Sequence, residues 1–279
     1  MKSMYFRKPK IAIAFGGGGA RGFAHIGVIK ALEEYGVKFD YVTGTSAGSI
    51  VGAAYAAGLS YKEIYDIAKN IKTKDVKSSK ILFMPSKTEG IENIMKNALG
   101  DINIEDLKIP FSAVAVDIKS TNQIVISKGN LAKAVAGSSC VPMVFQPVEF
   151  EDFLLCDGGL QDSIPADVPR YFGYDYVVAV DVNKERTYGT ESAKLLDVLA
   201  CSVRILMKSN AIKGYIYSDV MVAPETKRFK ATKAEGLDEM VDEGYKACID
   251  VMPEILALFK KQKKRIKFKE TQENMIFWK

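Results

Sequence analysis

The sequence predicts an α/β fold: one three-layer domain with a mainly parallel central sheet and helices on both of its faces. Apolar, β-rich runs alternate with helical patterns, the order expected of strand–helix–strand units. The run "YDYVVAVDV" (174–182) is almost wholly apolar, as a strand covered on both faces must be. With 279 residues and 48% hydrophobic content, the chain has enough apolar material for one large core. A single domain over 1–279 is expected, with the motifs between about 10 and 182 and a helix and basic tail from about 238 onward.

The elements follow in order. "KIAIAF" (10–15) reads as a buried strand and "FAHIGVIKALEEYG" as a helix stopped at Gly36. "FDYVTG" is a second strand and "SAGSIVGAAYAAG" a helix rich in small residues that ends near Gly58. Another helix begins at Ser60, where Ser60 and Glu63 have the spacing of a capping box. Residues 73–90 mix Lys, Ser and Pro around the apolar patch "ILFMP" (81–85), which is loop chemistry; the patch reads either as a lid facing lipid or as a loop packed on the core. "FSAVAVDI" and "NQIVISKG" are strands joined by a short turn, and "NLAKAVAGSS" is a helix. "FEDFLLCDGG" is a strand ending in a tight turn. After the apolar strand come a helix through "SAKLLDVLACSVRILMKSN", a last strand "SDVMVAP", and a long helix from 238 that carries Pro253, where a bend is expected.

Composition excludes several classes of protein. No run approaches the roughly 20 apolar residues of a membrane-spanning helix, and the first residues lack the pattern of a signal peptide, so a cytoplasmic location is expected. The four cysteines have no CxxC spacing and read as reduced, buried thiols; no metal site is expected. A net charge of +5, without interleaved basic and aromatic residues, gives no sign of nucleic-acid binding. Seven of the ten residues Lys260–Lys269 are Lys or Arg, and Met275, Ile276, Phe277 and Trp278 follow. That tail reads as a peripheral contact with an anionic membrane face or as a solvated helix end.

Three motifs can carry chemistry. "GGGGARG" (16–22) lies between a strand and a helix, and its bare backbone N–H groups suit either an oxyanion or the pyrophosphate of a dinucleotide. The dinucleotide reading needs an acid on the ribose. Asp40 has about the right spacing but falls at the start of its strand rather than at the carboxyl end. "GTSAG" (44–48) sets Ser46 between Gly44 and Gly48 after a strand and before a helix, the context of a nucleophile elbow, although Ser also suits the N-cap of that helix. The only histidine, His25, precedes the serine and sits in a helix, where packing against the sheet or bonding the loop suits it better than a base role. "CDGG" places Asp157 at a strand's carboxyl end beside Gly158 and Gly159, where a dry cleft would raise its basicity; the same letters also describe an Asp-Gly turn. Asp181 is a second candidate at the same sheet edge.

The ordered set "GGGGARG", "GTSAG" and "DGG", with "SSCVPMVFQPV" (138–148) between the last two, resembles the patatin-like phospholipase family, especially its compact bacterial members. The resemblance implies a Ser46–Asp157 dyad, an oxyanion hole from the Gly17, Gly18 and Gly19 backbone, and supporting positions at Arg21, Gly44, Gly48, Gly158 and Gly159. It implies hydrolysis of a lipid or lysolipid ester with no cofactor. Gly16 stands where plant patatins have Asp. The competing readings are a nucleotide-dependent oxidoreductase using the glycine loop and a non-enzymatic adaptor at a membrane surface.

Overall fold

In a computed structural model of the chain, residues 6–71, 86–184, 189–231, 235–261, 266–267 and 276–278 are described. The elements run β1 (Phe6–Arg7), β2 (Ile11–Phe15), α1 (Ala24–Glu34), β3 (Tyr41–Thr45), α2 (Ala47–Ala56), α3 (Tyr61–Asn70), α4 (Glu89–Leu99), β4 (Phe111–Asp117) and β5 (Asn122–Ile126). They continue with α5 (Leu131–Ser139), β6 (Val148–Phe150), β7 (Phe153–Asp157), α6 (Asp167–Tyr171), β8 (Tyr176–Val180), α7 (Leu195–Asn210), α8 (Ile212–Tyr217), β9 (Val220–Val222), α9 (Leu237–Lys261), β10 (Ile266–Lys267) and β11 (Ile276–Trp278). The main sheet has the order β11-β5-β4-β3-β2-β8-β9, and only the β4–β5 pairing within that row is antiparallel. The hairpin β6–β7 joins it through β7, antiparallel to β4.

Alternation along the central strands divides the core into two unequal halves. Ile11, Ile13 and Phe15 of β2 face a thick layer formed mainly by α1, α2, α3, α4, α5 and α9. Ala12 and Ala14 face the other way, Ala12 with Tyr41, Val114 and Val168 and Ala14 with Ile164, Ala166 and Ala179, toward the thinner layer of α6 and α8. The thick layer is held by close helix contact: a Cβ on Gly27 would lie 1.8 Å from the Val241 carbonyl of α9, so glycine is required there.

Several expectations change in detail. The capping box of Ser60 and Glu63 forms, and Gly36 and Gly58 end their helices at positive φ. The stretch read as loop over 73–90 stops being loop at its far end: Ser86 bridges to Phe145 and α4 begins at Glu89. Residues 73–85, with the "ILFMP" patch, lie outside the described residues. The strand ending at Asp157 is the second half of a hairpin whose first half, β6, the sequence pattern does not separate. α9 continues through Pro253 to Lys261. Ile276–Trp278 of the tail is an edge strand, parallel to β5. Among the described residues no helix is long and apolar enough to cross a membrane, and all four cysteines are buried.

Candidate active site

Two strands meet end to end along one edge of β4. Thr45, the last residue of β3, pairs with Val114, and Asp157, the last of β7, pairs with Ala115, the next residue along β4. Because β3 runs parallel and β7 antiparallel to β4, their carboxyl ends converge. Ser46 follows Thr45, so the sheet itself brings serine and aspartate together.

Ser46 has φ 54° and ψ −128°, a backbone conformation that non-glycine residues rarely adopt. The turn closes because its flanks are bare: a Cβ on Gly44 would lie 2.4 Å from the Gly48 carbonyl, and one on Gly48 would lie 2.1 Å from the Phe15 carbonyl. Ser46 occupies the N-cap position of α2, yet its side chain makes no capping hydrogen bond, so only its carbonyl serves the helix, accepting from Ser49 and Ile50 N–H. The capping role open in the sequence therefore falls to the backbone, and the hydroxyl stays available. The Ser46 N–H donates to Ser138 Oγ at 3.0 Å, and the Ser138 hydroxyl donates in turn to the Val114 carbonyl at 2.6 Å. Ser138, buried on α5, ties the strained turn to β4; its letters lie in "SSCVPM", but nothing in the pattern marks that bond.

Asp157 is fully buried. Its Oδ1 accepts the Gly159 N–H at 2.8 Å, while Oδ2 makes no hydrogen bond among the described residues. Burial pushes its pKa up to about 6, against smaller opposing effects from the nearby Ser46 hydroxyl and the Gly159 N–H. Ser46 is thus close enough to favour the carboxylate without a formed bond. Gly158 lets the turn pass the Val114 carbonyl, 2.2 Å from where its Cβ would lie. Asp181 is differently engaged: Oδ1 accepts the Asn183 N–H and Oδ2 the Tyr215 hydroxyl, both in normal hydrogen bonds, so neither oxygen is left over.

The glycine loop faces the same point. The Gly17 N–H donates to the Ser163 carbonyl at 2.9 Å and is not available to an oxyanion, a correction to the three-donor expectation. The Gly18 and Gly19 N–H groups have no acceptor among the described residues, and Gly19 sits at φ 58°. Gly17 serves instead by absence: its Cβ would come within 3.2 Å of Ser46 Cβ. Arg21 is buried and positions the loop. It donates to the Phe229 carbonyl and to Asn183 Oδ1, and Asn183 Nδ2 holds the Gly17 carbonyl at 2.7 Å.

His25 supports the base of the glycine loop and makes no hydrogen bond to Ser46 or Asp157 among the described residues. Its Nε2 donates to the Gly16 carbonyl at 2.8 Å, its ring packs edge-on against Phe15, and burial lowers its pKa to about 4. Asp40 accepts the Ile11 N–H at 2.8 Å at the amino ends of β2 and β3, the opposite end of the sheet from the glycine loop. It cannot grip a ribose whose phosphates lie on that loop, which removes the geometric basis of the dinucleotide reading. Among the described residues no cluster of His, Cys, Asp or Glu is arranged to hold a metal ion.

A mainly parallel sheet thus carries a strained serine turn, a glycine-rich loop and a buried aspartate at one edge. The family model for patatin-like phospholipases matches residues 13–170, and the chain belongs to that family. It is 35% identical over 182 residues to an uncharacterised NTE family protein of Mycobacterium tuberculosis, covering 63% of this chain and 49% of that one. It is 36% identical over 182 residues to patatin-like phospholipase domain-containing protein 7 of Rattus norvegicus, covering 62% of this chain and 13% of that one. A lysophospholipase of Mycosarcoma maydis is 29% identical over 279 residues, covering 87% of this chain and 15% of its own length. The chain therefore spans about half, or far less, of the length of these relatives. Among solved structures, VipD of Legionella pneumophila shares the fold with a TM-score of 0.58 at 14% identity, over 89% of this chain and 67% of that one.

Proposed function

We propose that the chain is a serine-dependent lipid acyl hydrolase, acting on phospholipid or lysophospholipid esters as one patatin-like domain. The observation that carries this reading is the closeness of a strained, uncapped Ser46 to a buried Asp157 whose Oδ2 has no hydrogen-bond partner among the described residues. Asp157 Oδ2 takes the proton as Ser46 Oγ attacks the ester carbonyl. The Gly18 and Gly19 N–H groups hold the resulting oxyanion. On collapse the proton passes from Asp157 to the departing alcohol, leaving an acyl-serine. Water, deprotonated by the same carboxylate, then releases the fatty acid. The relative of Mycosarcoma maydis named as a lysophospholipase supports the substrate class. Peripheral contact with a membrane through the basic run Lys260–Lys269, on the cytoplasmic side, belongs to the same reading.

The test is labelling by a fluorophosphonate together with fatty-acid release from a soluble short-chain ester. Ser46→Ala should abolish labelling, and Ser46→Ala and Asp157→Asn should each lower turnover by about 10³–10⁴-fold or more. His25→Ala should keep labelling and most of the turnover in whatever fraction folds. Loss of labelling in folded His25→Ala equal to that in Ser46→Ala would overturn the dyad. Absence of labelling in the wild type would favour the adaptor.

A further inference from the structure

One buried polar cluster takes no part in the proton transfers above. The stretch "QDSIPADVP" (161–169) doubles back at Pro165, where the Ala166 N–H donates to the Ile164 carbonyl at 2.7 Å and closes a tight turn. The reversal brings Asp162 and Asp167 within hydrogen-bonding reach of each other, and both are buried, Asp162 completely. Asp162 Oδ2 accepts from Gln123 Nε2 of β5 at 3.2 Å, and Gln123 Oε1 accepts from Lys213 Nζ of α8 at 3.4 Å. Asp162 Oδ1 and Asp167 Oδ1 are also buried, and neither receives a hydrogen bond from an N–H or hydroxyl among the described residues. Two carboxyls this close and this dry do not both ionise, because each opposes the other's charge and burial opposes both. A proton placed between the two orphaned oxygens satisfies both and leaves one negative charge. Lys213 balances that charge through a glutamine whose amide can face only one way: reversed, it would set Nε2 against the ammonium and Oε1 against the carboxyl. Burial, with Asp167 beside it, raises the Asp162 carboxyl well above its ordinary range. Lys213 is the cation that faces Asp162, and Tyr171, one turn beyond Asp167 on α6, is a further titratable side chain in reach of the pair.

We infer that Asp162 and Asp167 hold one proton between them, and that this pair makes Asp162 a positioning residue for the serine turn. The backbone of Asp162 is where the segments of the site are tied. Its carbonyl accepts the Thr45 hydroxyl at 2.9 Å, one residue before Ser46. Its N–H donates to the Gly158 carbonyl at 2.8 Å, one residue after Asp157. The next carbonyl, of Ser163, holds the Gly17 N–H. A side chain pinned at both oxygens therefore fixes the peptide to which the serine turn, the aspartate turn and the glycine loop are all bonded. Two repelling carboxylates would instead drive that peptide away from them. In its effect on turnover the inference rests on the hydrolase reading; the proton pair does not.

Infrared difference spectra of the full chain at about pH 8 read the proton directly, since Asp157, at about 6, is ionised there. Wild type minus Asp162→Asn should show the carbonyl stretch of one protonated carboxyl, shifted in D2O, and wild type minus Asp167→Asn should show the same band. No such band in either difference, or a band that only one variant removes, would overturn the shared proton. Turnover of a soluble ester reads the positioning. Asp162→Ala should lower kcat at least about tenfold with KM within about twofold of wild type. Asp162→Asn, whose amide donates to Asp167 without needing a proton, should recover kcat to within about threefold of wild type. Asp162→Ser, too short to reach Asp167, should match Asp162→Ala and covers the case in which that variant does not fold. Full turnover in folded Asp162→Ala or Asp162→Ser, or a loss in folded Asp162→Asn equal to theirs, would overturn the positioning role. A band that both Asn variants remove from a wild type that turns over no ester would leave the proton pair standing and sink the hydrolase reading; turnover without the band would do the reverse.

Discussion

The sheet edge that carries Ser46 and Asp157 and the outer helices α7 and α8 differ in what they expose. Around Ser46 the apolar residues of β2, β3 and β4 are buried, and strain is tolerated because backbone and side chains over-determine the turn: Gly44 and Gly48 admit close approach and Ser138 fixes the N–H. In α7 Leu195, Leu199 and Leu206 face outward while Ala200, Cys201, Val203 and Met207 are less exposed, and the Met207 carbonyl and the Asn210 side chain bond the element to the body. The unequal layers explain this. The sheet face beneath the thin layer offers Ala12, Ala14 and Ala179, and α8 with Ile164 already fills it, packing so closely that a Cβ on Gly214 would lie 2.5 Å from Ile164 Cβ. One region stores free energy in a rigid site; the other keeps apolar surface in reserve.

The largest effect that separates the regions is on pH dependence. If Asp157 accepts the serine proton it must be ionised, and its pKa is pushed up to about 6 by burial. Turnover of a soluble ester should be level above that value and fall about tenfold per pH unit below it. His25, with its pKa lowered to about 4, stays neutral throughout and cannot produce that limb. The sign for stability is reversed. A carboxyl raised from 3.8 stabilises the fold fully below that value and loses the contribution as pH rises through 6. Activity and stability therefore move in opposite directions across that window. Melting curves for wild type and Asp157→Asn should coincide near the acid end and diverge in favour of the variant at higher pH. Coincident curves at high pH would mean that Asp157 is not a desolvated base.

Strand–helix alternation and the three glycine-bearing motifs were enough to read the order of elements around Ser46, because buried parallel strands and tight turns leave few residue types possible. What joined Ser46 to Asp157 was not legible: the end-to-end meeting of β3 and β7 depends on which strands pair with β4, and neither sequence stretch records its partner. The same limit hid Ser138, whose hydroxyl matters only for what lies across from it. The commitment of the Gly17 N–H to Ser163 was equally invisible, since a glycine loop shows that N–H groups are bare but not which already have acceptors. α4 is a different case. Ile91 and Met95, both buried, have helical spacing and Gly100 stops the helix at positive φ, but the Lys- and Ser-rich stretch before it draws the reading toward loop. In α7 the periodicity does mark a helix, while periodicity is silent on whether its apolar stripe faces the core.

Strain gives a second, smaller contrast. Ser46→Gly removes the hydroxyl and also the Cβ that φ 54° disfavours. Labelling should vanish while stability rises by about 1 kcal/mol, or about 2–4 °C in melting temperature. Ser46→Ala, which keeps the Cβ, should lose the same activity without that gain. If both variants melt alike, the elbow holds no strain worth the name and the contrast with the unstrained helix weakens.

The smallest effect bears on the outer helix itself. Leu155 of β7 is fully buried, so Leu155→Ala should cost about 2–5 kcal/mol, as cavity-forming substitutions do. Leu206 has the same chemistry at 57% exposure, and alanine is the better helix former, so Leu206→Ala should leave stability within about 0.5 kcal/mol of wild type in denaturant titration. The leucine is then without structural duty in the isolated chain. A loss approaching that of Leu155→Ala would mean that Leu206 packs within the chain in solution, and α7 would belong with the core rather than opposite it.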